Sequence, residues 1–292
     1  IPNFTFYGSY SAAILAGLKP ILCDVDKKNF QIDIDSAKKI ITPKTKAIMP
    51  VHIYGGSVNM EEVINFSKKY RLKIVEDAAQ ALGVRFKGKS AGSFGDVSAF
   101  SFYADKAITT GEGGLIITNN KKIYTNLLLI RNQGRIKSGS FVHNNLGYNF
   151  RFNDLLSSVG LAQLEKFNSI KKRKLEIYKK FKQNLGHLKE IEFFKPINHS
   201  NFIPFRVPVI VKSLNKLMNF LEKNGIQTRG FFFPLHSQKG VDKRYKQNNK
   251  DQLFFRNSIY GNKNGLALPC YPSLKNKDIS FICKKIIKFY EK

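Results

Sequence analysis

Through the first 130 residues, short apolar runs alternate with stretches of helical periodicity, and most of the runs stop at an acid, a glycine or a turn. Pro20–Asp26 (P-I-L-C-D-V-D), Ala47–His52, the run from Lys73, Val97–Tyr103 and Leu115–Thr118 read as strands. Ser9–Leu18, Ile34–Ile41, Asn59–Tyr70 and Lys121–Arg131 read as helices. Such alternation predicts an α/β fold with a mostly parallel sheet. In those sheets ligands bind beyond the carboxyl ends of the strands. The residues that close each run therefore carry the functional argument.

Two closings matter most. Ser101–Gly114 reads S-F-Y-A-D-K-A-I-T-T-G-E-G-G and puts Lys106 between an apolar strand and a turn holding Gly111, Gly113 and Gly114. A lone lysine is ordinarily a solvated surface charge. Here the glycines let backbone approach a ligand or take positive φ, and a desolvated lysine has a lowered pKa and becomes an amine nucleophile. Schiff-base chemistry is the reading that follows. Upstream, Lys73–Gly83 (K-I-V-E-D-A-A-Q-A-L-G) brings another apolar strand to Asp77. That carboxylate suits the protonated pyridine nitrogen of pyridoxal phosphate (PLP), or equally the N-cap of the Ala-rich turn after it. Its pairing with Lys106 favours the cofactor site.

These stretches resemble the DegT/DnrJ/StrS family of PLP-dependent nucleotide-sugar aminotransferases. The family pattern E-D-A-A-Q-A-x-G, G-S-x-G-D, then F-S-F-x-x-x-K with G-E-G-G, stands here as Glu76–Gly83, Gly92–Asp96 and Phe100–Gly114, in order. The resemblance implies the type I PLP-dependent aminotransferase fold. It implies that Lys106 binds the cofactor covalently, that Asp77 pairs with the pyridine nitrogen, that Gln80 lies near the ring's 3-hydroxyl and that Ser101 binds the phosphate. Phe6, in an opening that is similar to the family's P-S-F-T-F, would stack on the ring; a plain core aromatic is the other reading. Asn149 in L-G-Y-N-F-R-F-N-D would reach across a homodimer to the partner's PLP phosphate, with Arg151 ordering its loop. Outside the family pattern those two would read as a turn Asn and a surface Arg. His52, in V-H-I-Y-G-G, is either a substrate or cofactor contact or a satisfied structural histidine.

The same resemblance implies an acceptor keto sugar linked to a nucleoside diphosphate and an amino-acid donor, glutamate. Family members carry a further N-terminal segment whose Gly-Thr/Ser-x-Ala turn cradles the phosphate at a helix N-terminus. The chain is expected to be a truncated member lacking that turn. It departs from the pattern beside the lysine, where Ala104-Asp105-Lys106-Ala107 replaces Pro/Ala-Thr/Ser-Lys-Asn. On a continuing strand Asp105 would point away from Lys106; otherwise it would favour the charged amine.

Asn132–His143 reads as a mobile loop, Asn153-Asp154 as the cap of a long helix with Leu155, Val159, Leu161 and Leu164 on its apolar side, and the Lys-rich stretch to Leu185 as a bridging helix. Phe205–Val211 and Leu266–Pro272 then read as strands, Leu214–Asn224 and Asp278–Tyr290 as helices. The expected division is residues 1–164, a large PLP-binding domain, and 165–292, the bridging helix with a smaller C-terminal α/β domain.

Charge is the unusual feature of the composition. The net charge is +28, and from Lys166 onward 28 Lys/Arg face 8 Asp/Glu. No zinc-finger spacing or aromatic ribonucleoprotein motif accompanies it, so the reading is a solvated lysine-rich surface able to attract a nucleotide sugar rather than a nucleic-acid interface. No apolar run approaches the roughly 18 residues of a membrane span. Cys23, Cys270 and Cys283 show no metal-ligand spacing, which fits a reduced, cytoplasmic setting. Besides an aminotransferase, two readings remain. One is a PLP-dependent sugar dehydratase, whose relatives replace the lysine with histidine. The other is a non-catalytic basic binding or regulatory protein on the same fold.

Overall fold

Lys73–Asp77 is the strand that places the rest of the N-terminal half. In the computed structural model, which describes residues 1–136, 139, 141–241 and 251–291, the chain opens with α1 (Tyr7–Leu15), α2 (Ile34–Lys38), β1 (Ala47–Ile48) and α3 (Met60–Tyr70). The strand β2 (Lys73–Asp77) follows, then the short hairpin β3 (Arg85–Phe86) and β4 (Lys89–Ser90), β5 (Val97–Ser101) and β6 (Gly114–Ile117). The strands order as β1-β2-β5-β6. β1, β2 and β5 run parallel, and β6 returns antiparallel beside β5. The alternation in the sequence thus becomes a mostly parallel sheet, as expected.

Several expected strands are shorter, each for a local reason. Ala47–His52 keeps only two strand residues and a single bridge from Val51 to Asp77. Pro50 interrupts it because proline has no N–H to give to a ladder. Pro20–Asp26 survives as isolated bridges at Cys23 and Val25. There the Asp24 N–H donates to the Ser36 hydroxyl at 2.8 Å instead of to a neighbouring strand. β5 stops at Ser101, and the chain turns back with the Lys106 N–H donating to the Tyr103 carbonyl at 3.0 Å.

The second half begins with α4 (Lys121–Arg131), α5 (Asp154–Glu165) and α6 (Phe167–Leu185). Asn120 and Asn153 cap α4 and α5 through their side-chain oxygens, as the sequence at 153–154 suggests. The long helical stretch breaks in two at Lys166. Part of the expected 132–143 loop, residues 137, 138 and 140, lies outside the described residues. Then come β7 (Ile191–Phe193), β8 (Val207–Val211), α7 (Leu214–Lys223), β9 (Arg229–Gly230), α8 (Asp251–Phe254), α9 (Arg256–Asn264), β10 (Gly265–Leu268) and α10 (Asn276–Tyr290).

This second sheet, β7-β8-β10-β9, is antiparallel throughout. Its core joins Phe181, Leu185, Val207, Val209, Leu217, Leu221, Leu266 and Ile282, so α6, α7 and α10 all bury one stripe against it. A separate aromatic cluster of Phe4, Phe30, Tyr54, Phe194 and Phe231 joins the two halves.

Glu76 fixes the geometry at the end of β2. It is wholly buried. Its Oε2 accepts the Gly92 N–H at 2.8 Å, and its Oε1 accepts those of Phe94 and Gly95 at 2.7 and 2.6 Å. The Val58 N–H donates to His52 Nδ1 at 3.0 Å, so His52 carries its proton on Nε2 and gives it to Glu76 Oε2 at 2.9 Å. Gly92 must be glycine: it sits at φ +86°, and a Cβ there would lie 2.5 Å from the Phe100 ring.

Burial works to raise the Glu76 pKa, but the hydrogen bonds from His52, Gly95 and Gly92 outweigh it and hold the carboxyl below its ordinary 4.5. A depressed folded-state pKa contributes stability above the unfolded value and loses it as pH falls through the folded one. Glu76→Ala should cost about 3–5 kcal/mol, since it leaves several buried donors without an acceptor. Urea denaturation at neutral pH tests that. The deficit relative to wild type should shrink as the pH is lowered below the ordinary carboxylate range.

Candidate active site

Successive residues of a strand face opposite sides, so burying Glu76 turns Asp77 to the other face of β2. There Asp77 Oδ2 accepts the Ser9 hydroxyl of α1 at 2.6 Å, and Oδ1 accepts the Ala79 N–H at 3.1 Å. Both bonds fix the carboxylate while leaving it lone pairs for a further donor. Gln80, in the turn that follows, accepts the Tyr54 N–H on Oε1 at 2.7 Å. Tyr54 has φ 56°, a left-handed conformation that this bond helps to hold. The bond also orients the Gln80 amide, whose NH2 group remains the donor side.

Gln80, Ser101 and Lys106 line one cavity with Ala79, Ile108 and Phe205. Ser101 ends β5, and its Oγ accepts the Tyr103 N–H at 3.2 Å, leaving the hydroxyl proton to donate elsewhere. Lys106 lies past the end of β5, in the turn after the strand, in keeping with its place between strand and glycine turn in the sequence. Its side chain is only 15% exposed. Nζ lies 4.8 Å from the centroid of the Phe205 ring and 3.7 Å from Asp105 Oδ1. Burial pushes the amine's pKa below the ordinary lysine value; Asp105 and Asp77 pull against that, and Arg206 adds to it.

Of the two arrangements open to Asp105, the structure shows the second. Once β5 ends at Ser101, strand alternation no longer applies, and the turn brings the carboxylate beside the amine. Asp105 Oδ2 accepts from Arg206 Nη2 at 3.0 Å. Gly113, at φ +141°, closes the same turn; a Cβ there would lie 2.6 Å from Phe152.

Three of the sequence candidates stand outside this lining: Asp77, within electrostatic reach of the amine, and Phe6 and Asn149. Phe6 precedes α1 and is 67% exposed, with its ring 6.4 Å from that of Phe232. Asn149 is exposed and accepts from Arg151 Nε at 2.9 Å. His52 resolves as a buried structural residue held by Glu76 and Val58. Sequence reasoning missed Ser9, Phe205 and Arg206. Ser9 sits at a position that its helix alone does not distinguish, and the other two come from about a hundred residues away with no local motif.

The donor set can be tested against an aromatic aldehyde bearing a phosphate. A desolvated amine, an oriented amide and a free hydroxyl proton line one cavity, and the fixed carboxylate of Asp77 lies within electrostatic reach of the amine. They fit such a group.

The comparisons agree with this chemistry. The pattern of the DegT/DnrJ/EryC1/StrS aminotransferase family matches residues 1–287, and the chain belongs to that family. It is 35% identical over 292 residues to a GDP-perosamine synthase of Escherichia coli O157:H7, an alignment covering 99% of this chain and 78% of that protein. Among solved structures it is similar to the Helicobacter pylori aminotransferase PseC, involved in pseudoaminic acid biosynthesis, with a TM-score of 0.92, 24% identity and coverage of 99% and 78%. It is also similar to the PLP form of the putative sugar aminotransferase Spr1654 from Streptococcus pneumoniae, with a TM-score of 0.90, 24% identity and coverage of 99% and 80%.

Ser9→Ala removes the hydroxyl that donates to Asp77 and should cost about 1.5–3 kcal/mol, the range for hydrogen bonds to charged groups. Thermal and urea unfolding of the variant measure it.

Proposed function

We propose that this member of the DegT/DnrJ/EryC1/StrS family is a PLP-dependent aminotransferase that moves an amino group from an amino acid, glutamate first, to a keto sugar carried on a nucleoside diphosphate. The observation that carries the reading is the buried amine of Lys106, set in one cavity with Gln80 and Ser101 and within electrostatic reach of Asp77. The similarity to a GDP-perosamine synthase makes GDP-linked keto sugars the first acceptors to assay.

PLP, when bound, supplies an electron sink for negative charge at the substrate carbon. The protein does the rest. Lys106 Nζ would hold the cofactor, and the same amine would serve to move a proton between the substrate carbon and the cofactor. A lowered pKa suits that exchange, since it favours the neutral amine. Asp77 would keep the ring nitrogen protonated, with Ser9 holding the carboxylate for that task. Gln80 would donate to the ring hydroxyl and the Ser101 hydroxyl to the phosphate. Phe6 would lie against the ring, and Asn149 would belong to a site shared with a second copy.

A homodimer is part of the same reading. Every residue of β6 is exposed, and neither α4 nor α5 buries a side chain. Leu146 is 90% exposed and Leu155 80%, beside exposed Phe150 and Leu161. An apolar surface of this kind marks an interaction site, and Asn149 stands within it. Residues 1–164 and 165–292 are taken as the two domains, divided at the α5–α6 break. Among the described residues no helix is long and apolar enough to cross a membrane. With three free, buried cysteines, the reading places the enzyme in the cytoplasm.

Absorbance spectra with added PLP, before and after borohydride, test the assignment. Wild type should gain a visible band that reduction fixes onto the Lys106 peptide, and Lys106→Ala should lose it. Amino transfer from glutamate to a GDP-linked keto sugar should fall at least about a thousandfold in that variant, the scale of losing an essential acid–base and nucleophilic group. Sedimentation should report a dimer, and Leu155→Glu combined with Leu161→Glu should shift it to monomer. A monomeric wild type would remove the dimer from this reading.

A further inference from the structure

Among the described residues, Asp105 is an acidic side chain beside the reactive amine that the family pattern does not supply. It is held in an unsymmetrical way. Oδ2 accepts from Arg206 Nη2 at 3.0 Å and lies 3.8 Å from Arg229 Nη1. Oδ1 is buried, has no hydrogen-bond partner, and stands 3.7 Å from Lys106 Nζ, too far for a hydrogen bond. A carboxylate and an amine on adjacent residues of one turn would ordinarily close to a short ion pair. Here the carboxylate is taken by a guanidinium from the other half of the chain.

Arg206 is braced for that reach. Its guanidinium lies 5.3 Å from the Phe205 ring centroid, the same ring that the Lys106 amine approaches. The Phe205 carbonyl accepts from the buried Lys174 of α6 at 3.2 Å, and the same amine donates to the Cys270 carbonyl just after β10. The segment leading into β8 is therefore pinned from two sides before Arg206 leaves it.

We propose that Arg206 is a positioning residue for Lys106: by holding Asp105 it keeps the loose 3.7 Å ion pair between that carboxylate and the lysine amine from closing to a short, hydrogen-bonded one. The proposal rests on the reading of Lys106 as the cofactor-binding amine. The charged groups around that amine are Asp105 in its own turn, Asp77 from β2 and Arg206 from the segment before β8. Arg229 of β9 and Lys174 of α6 bear on it through Asp105. Arg206 lowers the proton affinity of the amine directly as a like charge. Its larger effect is through Asp105, because a carboxylate freed to close on the amine adds a short ion pair that raises that affinity.

The two routes separate in a double-mutant cycle. Competitive acetylation of the full chain without cofactor, followed by peptide mass spectrometry over a pH series, gives the titration midpoint of Lys106 against exposed Lys44. Arg206→Gln should raise the Lys106 midpoint by about one unit, which slows its labelling about tenfold at a fixed pH below the midpoint. Arg206→Lys should restore most of the wild-type rate. Asp105→Asn should lower the midpoint, and adding Arg206→Gln in that background should change it little.

An equal shift in both backgrounds would mean that Arg206 acts by its own charge alone and would overturn the proposal. So would an unmoved midpoint in Arg206→Gln, or one in Asp105→Asn. These readouts need neither PLP nor substrate. A missing PLP band in wild type would therefore sink the functional reading while leaving the role of Arg206 decided on its own.

Discussion

The buried carboxylate of Glu76 is the constraint on which the rest of the N-terminal half depends. Placing a charge in the interior costs several kcal/mol unless its lone pairs are filled, and here His52, Gly92, Phe94 and Gly95 fill them. Each of those donors belongs to a loop that has no ladder of its own. One carboxylate thus organises the segment after β1, the loop before β5 and the end of β2 together. Because strand neighbours face opposite ways, the same burial presents Asp77 to the cavity side.

A second constraint is that neither half of the chain completes the site. The ends of β2 and β5 bring the carboxylate, the amide, the hydroxyl and the amine, while Ile203 and Phe205 close the cavity from the segment before β8. The aromatic cluster of Phe4, Phe30, Tyr54, Phe194 and Phe231 holds the two halves in register. Tyr54 serves both purposes, since its ring lies in that cluster and its N–H donates to Gln80. The packing that joins the halves also orients a side chain of the cavity. The proton affinity of Lys106 is in turn a balance across that joint, with burial lowering it, the carboxylates raising it and a guanidinium from the far side restraining one of them.

The sequence by itself determined the mostly parallel character of the first sheet, the helices that alternate with its strands and the strand ends at which chemistry collects. Those follow from the period of apolar residues and from local turn chemistry, which act over a few residues. It also singled out Lys106 and Asp77, because unusual residues at strand ends are visible as strings, while Gln80 and Ser101 entered only through the resemblance to the family pattern. Boundaries were less legible where one competing partner decided them: Pro50 cut β1 short, and the Ser36 hydroxyl took the Asp24 N–H that a longer strand would have used. Only the tertiary structure decided that Asp105 faces Lys106, that Arg206 restrains it and that Ser9 steadies Asp77. Those contacts join residues up to a hundred positions apart, and no local periodicity encodes which carboxylate will meet which cation once the two halves close.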